Sequence, residues 1–141
     1  MISFDFVDIE IPGFDSEFFV YSINDLLENE GFVCGDVSIV FCKDEYLLGI
    51  NRQYLNHDYY TDIITFDYSI DGVISGDLFI SFERVIENAF EFKVENKIEL
   101  MRVIYHGFLH LCGYKDKSEE NTVEMRSKED FYISRYVSRE T

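Results

Sequence analysis

The alternation of apolar and polar residues along the chain predicts four strands and five helices. An apolar residue at every second position suits a half-buried strand, and a period near 3.6 suits a helix packed on one face. We expect strands at residues 3–7, 37–42, 63–68 and 73–81, and helices at residues 16–30, 44–54, 82–92, 95–112 and 118–137. Ser16 is the expected cap of the first helix. Asp71 and Gly72, between the last two strands, are typical of a tight hairpin turn.

The order of these elements predicts the fold class. Strands and helices do not alternate regularly, which disfavours a repeated β-α-β arrangement. We therefore expect an α+β fold in which a small mixed sheet of about four strands packs with about five helices. Hydrophobic residues make up 47% of the 141 residues and there is one proline, which disfavours a disordered chain. Without a repeat or a linker, residues 1–141 are most simply one domain.

The charge of the chain is strongly negative and unevenly distributed. The formal net charge is −16, which argues against a general nucleic-acid binder with a basic surface. Residues 1–83 hold 2 basic and 17 acidic residues, whereas residues 84–141 hold 10 basic and 11 acidic residues. Charges farther apart than about 8 Å are largely screened at physiological salt. An anionic substrate is therefore expected to approach the C-terminal half.

Three further features predict a cytoplasmic protein without membrane contact. The N-terminus, MISFDFVDIEI, lacks the basic and apolar regions of a secretory signal. No window approaches the roughly 18–20 apolar residues that span a bilayer. Cys34, Cys42 and Cys112 are an odd number without C-x-x-C spacing, which favours reduced and mostly buried thiols.

Two histidines near the end of the fourth predicted helix have the spacing of metal ligands. Residues 106–116 read HGFLHLCGYKD. Residues four apart lie one above the other on a helix, so His106 and His110 can present their imidazoles to one ion. Gly113 suits the end of that helix, and Asp116 follows three residues later as a third candidate ligand. Three protein ligands leave positions open for water and substrate, as in catalytic zinc sites.

Two other interpretations of this segment are open. The helix is strongly apolar, so His106 and His110 could be core residues, and H-x-x-x-H alone is a weak signal. The spacing also resembles that of metzincin proteases, with aspartate in place of their third histidine. Those enzymes need a glutamate directly after the first histidine as general base, and Gly107 has no side chain to take a proton. Peptide hydrolysis is therefore disfavoured.

Several motifs in the same order resemble those of the YbeY family of metal-dependent endoribonucleases. The family signature is H-G-x-L-H-L-x-G-Y-D-H, and HGFLHLCGY is followed here by Met125 and Glu129 on the next helix. Upstream, NRQY at residues 51–54, TDIITF at residues 61–66 and SGDLFIS at residues 75–81 resemble the family segments N-x-x-Y-R, T-D-V-L-S-F and G-D-I-x-I-S. The resemblance extends from about residue 37 to residue 129.

The resemblance implies a cytosolic, zinc-dependent endoribonuclease that cleaves single-stranded RNA in 16S rRNA maturation and ribosome quality control. It implies one Zn²⁺ per chain, held by His106, His110 and Asp116, and a water molecule activated by that ion. The implied partners are single-stranded or ribosomal RNA and the ribosome or its proteins, and no DNA is expected. No general base is identified, so either the activated water itself or a group of the RNA could serve.

The chain departs from the family pattern at two positions. The third metal-binding histidine is replaced by Asp116, which lowers the charge of the site by one unit, makes the bound water less acidic and shifts preference toward harder divalent ions. Leu55 replaces an arginine suited to binding phosphate. His57, Arg52 and Arg102 are candidates to take over that contact, and we predict His57 and Arg102; a solvated turn residue is the other interpretation of His57.

A second hypothesis belongs to a different functional class. The chain could be a ribosome-associated assembly factor with a structural metal and little nuclease activity. Leu55 and the charge of −16 favour this hypothesis, whereas the open set of three ligands disfavours it, because structural zinc usually has four protein ligands. Removing a structural ion should unfold the domain, and removing a catalytic ion should leave the fold intact.

Overall fold

The computed structural model describes the backbone of residues 1–140 and the side chains of residues 1–137, so Thr141, the last residue of the predicted domain, lies outside it. In chain order, the elements of the described residues are β1 (Ile2–Phe6), α1 (Ser16–Asn29), β2 (Val33–Cys42), α2 (Asp44–Leu55), β3 (Ile63–Asp67), β4 (Val73–Ser81), α3 (Phe82–Phe92), α4 (Asn96–Leu111) and α5 (Glu119–Glu140). Four strands and five helices in these residues confirm the predicted α+β class.

The four strands form one mixed sheet in the order β1-β2-β4-β3. β1 and β4 both pair with β2 in parallel, whereas β3 and β4 form an antiparallel hairpin. Asp71 and Gly72 both have positive φ, at 50° and 79°, as a tight hairpin turn requires. β3 therefore lies at one edge of the sheet, and its N-terminal end leads back into the loop that follows α2.

A large core fills one face of the sheet and a smaller one the other. On the large side, alternate residues of β2 and β4 pack with α1, α4 and α5, and the buried members include Ile39, Leu78 and Phe108. On the other side, α2 packs through Leu47 and Ile50. Because successive side chains of a strand point to opposite faces of the sheet, a single sheet contributes side chains to both cores.

Gly107 allows α4 to approach the sheet closely. A Cβ at this position would lie 2.7 Å from Leu78 Cδ2 and 2.8 Å from Ile63 Cδ1, closer than side-chain carbons normally come. Gly107 thus faces β3 and β4 rather than solvent, and a glutamate there would have to displace the ends of the Leu78 and Ile63 side chains. The structure supplies a packing reason for the glycine that a comparison with protease motifs could not.

Most boundaries lie within one to three residues of the sequence-based expectations, and two differences at α1 and β2 have an identifiable local cause. The cap of α1 is Asp15 rather than Ser16, because the Asp15 carboxylate accepts a 3.0 Å hydrogen bond from the Phe18 amide. β2 begins at Val33, four residues earlier than expected, and its pairing with β4 is irregular between Cys34 and Val37. Neither change alters the topology around the histidines. The three cysteines are free thiols, and Cys42 is buried.

Candidate metal centre

The end of α4 positions the candidate ligands. His106 and His110 lie on the last two turns of the helix, and the chain then reverses at Gly113, whose φ is 106°. The Gly113 and Tyr114 amides donate hydrogen bonds to the carbonyls of His110 and Leu109, which closes the helix end. The left-handed glycine thereby brings the following segment back toward the histidines.

Asp116 is held near the histidines by contacts on both of its sides. On one side, the Tyr114 hydroxyl donates a 2.7 Å hydrogen bond to Glu30 Oε1. On the other, Thr122 Oγ1, in the first turn of α5, donates a 3.1 Å hydrogen bond to the Asp116 carbonyl. The position of the Asp116 carboxylate is therefore set by the packing of two helices and not by the loop alone.

Three ligand atoms form a nearly equilateral triangle. His106 Nε2 and His110 Nε2 are 3.0 Å apart, and Asp116 Oδ2 lies 3.4 Å from the first and 3.3 Å from the second. In a tetrahedral site with bonds of about 2.0–2.1 Å, ligand atoms are roughly 3.3–3.4 Å apart. The three residues therefore fit one face of such a site, and this group could hold a metal ion.

The other ring nitrogen of each histidine is already hydrogen-bonded. His106 Nδ1 donates to Glu129 Oε2 at 2.6 Å, and His110 Nδ1 donates to the Tyr114 carbonyl at 2.9 Å. Both acceptors fix the proton on Nδ1, which leaves the two Nε2 lone pairs directed at each other. Lone pairs at 3.0 Å repel each other unless a cation lies between them. In metal-bound histidines, the other ring nitrogen usually donates its hydrogen bond to a carboxylate or a carbonyl, as both histidines do here.

Glu129 is the most buried carboxylate next to the cluster and is itself held by an arginine. Only 5% of the residue is exposed. Its Oε1 accepts a 2.9 Å hydrogen bond from Arg102, which also pairs with Asp130 at 2.7 Å. Burial alone would lower the pKa of His106, but Glu129, with smaller contributions from Asp116 and Asp62, raises the pKa above its ordinary value. Protons therefore compete with a metal ion for His106.

A cleft passes the cluster on both sides. Its two parts, each of about 390–400 Å³, share Asp62, Ile63, His106 and Asp116 in their walls. One part lies among α3, α4 and α5, and the other lies along the loop after α2. Both volumes fall within the range of about 300–1,000 Å³ that is common for ligand sites. The candidate ligands thus stand in the middle of an open cleft.

Asp62 lies in both parts of the cleft, next to His106. Burial raises the pKa of Asp62, and the nearby His106 partly offsets that effect. Asn88 Nδ2 lies 3.4 Å from Asp62 Oδ2, and the Asp62 carbonyl accepts a 2.9 Å hydrogen bond from the Ser81 amide. Asp77, the aspartate of the SGDLFIS segment, lies elsewhere, in a groove with Tyr46 and Tyr54.

The predicted substrate contacts occupy different positions. His57 is exposed in the second part of the cleft, where its ring stacks on Tyr59 and its Nδ1 lies 3.0 Å from the Tyr59 hydroxyl. Leu55, at the position of the family arginine, lines the same part and is 38% exposed. Arg102 lines the first part, but its guanidinium is engaged by Glu129 and Asp130.

Two other residues considered in the sequence, Arg52 and Cys112, lie outside the cluster. Arg52 is exposed and forms an ion pair with Asp58. Cys112 follows His110 by two residues, but partial burial raises the pKa of its thiol to about 12, so a thiolate ligand is disfavoured. Among the described residues, no helix is both long enough and apolar enough to cross a bilayer.

The fold and the cluster define a small α+β protein with a candidate metal site of two histidines and one carboxylate in an open cleft. The sequence model of the family described as "Endoribonuclease YbeY" matches residues 13–137. This match covers most of the chain and includes every residue of the cluster. The chain therefore belongs to the YbeY endoribonuclease family, as its motifs had suggested.

Individual relatives agree with this assignment. "Endoribonuclease YbeY" of Flavobacterium psychrophilum is 50% identical over 131 residues, 92% of both chains. The protein of the same description from Flavobacterium johnsoniae is 55% identical over 102 residues, 72% of this chain and 73% of that protein. The solution structure of TM1509 from Thermotoga maritima superposes with a TM-score of 0.65 and 26% identity, covering 99% of this chain and 91% of that one.

Proposed function

We propose that the chain is a cytoplasmic, zinc-dependent endoribonuclease that cleaves single-stranded RNA in 16S rRNA maturation and ribosome quality control. Its substrates would be single-stranded or ribosomal RNA rather than DNA, its partners the ribosome or ribosomal proteins, and residues 1–141 would form the single catalytic domain. Membership of the YbeY family supports RNA cleavage. The single observation that carries the metal-dependent part is the triangle of His106 Nε2, His110 Nε2 and Asp116 Oδ2.

Each residue of the cluster has a defined part in this proposal. His106, His110 and Asp116 would hold the ion, Glu129 and the Tyr114 carbonyl would keep both imidazoles oriented, and the remaining coordination positions would face the cleft. A zinc ion bound there would acidify a water molecule and offset the negative charge that develops on the phosphodiester. Asp116 reduces the net positive charge of the site, so harder divalent ions are alternatives to zinc.

The substrate would lie along both parts of the cleft. His57 would contact a phosphate or a base, which is supported by its exposed position in the part of the cleft that Leu55 also lines. Arg102 lines the other part, and its two carboxylate partners support a role in positioning Glu129 and, through Glu129, the ring of His106. The geometry therefore favours His57 over Arg102 as a direct RNA contact.

Cleavage of a labelled single-stranded RNA by the zinc-loaded protein tests the proposal. A His110→Ala variant, purified in parallel, controls for contaminating nucleases, and duplex RNA and single-stranded DNA of the same sequence test the predicted selectivity. We expect cleavage of the single-stranded RNA by the wild-type protein alone. Equal cleavage by both proteins, or none by either, would contradict the assignment of a metal-dependent nuclease.

A second candidate function is supported by Leu55. This residue lines the cleft where an arginine would hold a phosphate, which favours an assembly factor that binds the ribosome and cleaves RNA poorly. Thermal unfolding after chelation separates the two functions. The folded state of a nuclease with a catalytic ion should survive metal removal, since neither core includes His106, His110 or Asp116 among its apolar side chains. A structural ion, in contrast, would be required for folding.

A further inference from the structure

One side of helix α3 carries an apolar stripe that reaches into solvent. Phe82, Ile86 and Phe90 follow one another at intervals of four residues, and we call them the α3 stripe. Exposure rises along it, from the partly buried Phe82 through Ile86 at 42% to Phe90 at 85%. Phe90 is therefore a large apolar side chain that projects almost entirely into water.

A cavity opens beside the N-terminal end of the α3 stripe. Its volume is about 470 Å³, and its walls are mainly apolar, with Phe82 and Ile86 on one side and Phe14, Phe19 and Leu100 among the others. A protein cavity of about 150 Å³ suffices to bind benzene. The space is thus large enough for a phenylalanine side chain, and the same surface carries both a projecting ring and a cavity that fits one.

The order of ring and cavity along α3 makes this surface complementary to itself. In an antiparallel pair of α3 helices with a twofold axis near Ile86, Phe90 of one copy lies opposite Phe82 of the other, because both are four residues from the axis. Each Phe90 then meets the cavity that Phe82 borders in the other copy. Reciprocal contacts of this kind define an interface between two identical subunits.

The local charge permits such a contact. The whole chain has a formal charge of −16 and would repel itself, but residues 82–97 hold four acidic and three basic residues, a balance of −1. Distant charges are largely screened at physiological salt, so the local balance decides. Asn88 and Phe92 of α3 line the metal cleft, whereas Phe82 and Ile86 line the cavity. Pairing through the stripe would therefore leave the metal cleft open.

We propose that the chain forms a reversible homodimer through the α3 stripe, with Phe90 of each copy inserted into the cavity of the other. One helix and one cavity make an interface at the small end of the range for specific complexes, so dissociation constants of roughly micromolar size are expected. The proposal does not depend on RNA cleavage and requires neither metal nor substrate.

Sedimentation of the full chain at physiological salt, from about 1 µM to about 1 mM, tests the proposal by covering the expected range of dissociation constants. We expect the average mass to rise from monomer toward dimer, and Phe90→Ser to weaken dimerisation by about 30-fold or more, as loss of a central interface residue does. Phe131→Ser is the matched control, because Phe131 is a 49% exposed phenylalanine on α5. Thermal unfolding verifies that both variants fold.

Oxidative cross-linking tests the position of the axis. An Ile86→Cys variant should form a disulfide-linked dimer under mild oxidation, because the axis places residue 86 beside its own counterpart, whereas Val33→Cys, at a 66% exposed position on β2, should not. A chain that stays monomeric throughout, equal effects of the two serine variants, or equal cross-linking at both cysteines would overturn the proposal. Binding of a different protein at the α3 stripe of a strictly monomeric chain would also overturn it.

Discussion

The Glu129→Gln variant tests whether the carboxylate behind His106 contributes to metal binding. Glu129 Oε2 accepts a 2.6 Å hydrogen bond from His106 Nδ1 in a nearly buried position. Glutamine keeps the shape of the side chain but removes the negative charge that stabilises an imidazole donating at Nδ1 while binding a cation at Nε2. Losing such a partner lowers metal affinity by roughly 10- to 100-fold, or about 1.4–2.7 kcal/mol. Because the contact is short and shielded from water, we expect the upper part of this range.

Competition with a chromophoric zinc chelator at fixed pH measures the effect. Glu124→Gln is the control, because it removes one negative charge from an exposed position on the same helix. Arg102 keeps Asp130 as a partner in Glu129→Gln, so the fold should persist, which thermal unfolding verifies. Equal zinc affinities in all three proteins would refute the reasoning. Equal losses in both variants would assign the effect to long-range charge instead of the hydrogen bond.

Three other predictions follow from the same structure. Gly107→Ala should lower the free energy of unfolding in urea by about 1 kcal/mol, since overpacking exceeds the gain in helix propensity. Gly49 is a helical glycine with open space around it, so Gly49→Ala should raise the free energy of unfolding by a similar amount. Stabilisation by both variants would contradict the packing argument. Leu55→Arg should tighten single-stranded RNA binding in fluorescence anisotropy by roughly fivefold or more at low salt. Val33→Arg, at an exposed position at the start of β2, should not, and equal gains would show a general charge effect. Burial alone would raise the pKa of Glu30, but hydrogen bonds from Tyr132 and Tyr114 lower it. The wild-type protein should therefore be more stable than Glu30→Gln above about pH 4.5, and this difference in the free energy of unfolding should decline at lower pH. A difference that does not depend on pH would contradict this assignment.

The elements around the site were predictable because their signals are local. The apolar period of α4, the turn residues Asp71 and Gly72, and the helix-ending Gly113 each act within a few neighbouring residues. The spacing of His106 and His110 likewise follows from helix geometry alone. Even the proximity of Asp116 could be anticipated, since a glycine in the left-handed region turns the chain back over the last helical turn.

Features that depend on distant packing could not be predicted. Glu129 lies 23 residues after His106, and only the packing of α5 on α4 brings the two within hydrogen-bonding distance. The pairing of Arg102 with Glu129 and Asp130 has the same origin, and it leaves the Arg102 guanidinium bound to two carboxylates. Gly107 appeared to be a missing general base, whereas its absent side chain is required by the close approach of α4 to the sheet.

The charges of the cleft give a bound ion a second role, beyond joining three side chains. The cleft is lined by four carboxylates and two guanidinium groups, which give a formal charge balance of −2. The carboxylates are those of Asp62, Glu99, Asp116 and Glu129, and the guanidinium groups are those of Arg102 and Arg126. A phosphodiester entering the metal-free cleft would therefore be repelled, and one divalent cation cancels that balance. Asp116 and Leu55 each make the cleft less positive than histidine and arginine would at the same positions. RNA affinity in this chain should consequently depend on the ion, so weak binding by metal-free protein is expected of the nuclease too and does not by itself favour the assembly-factor function.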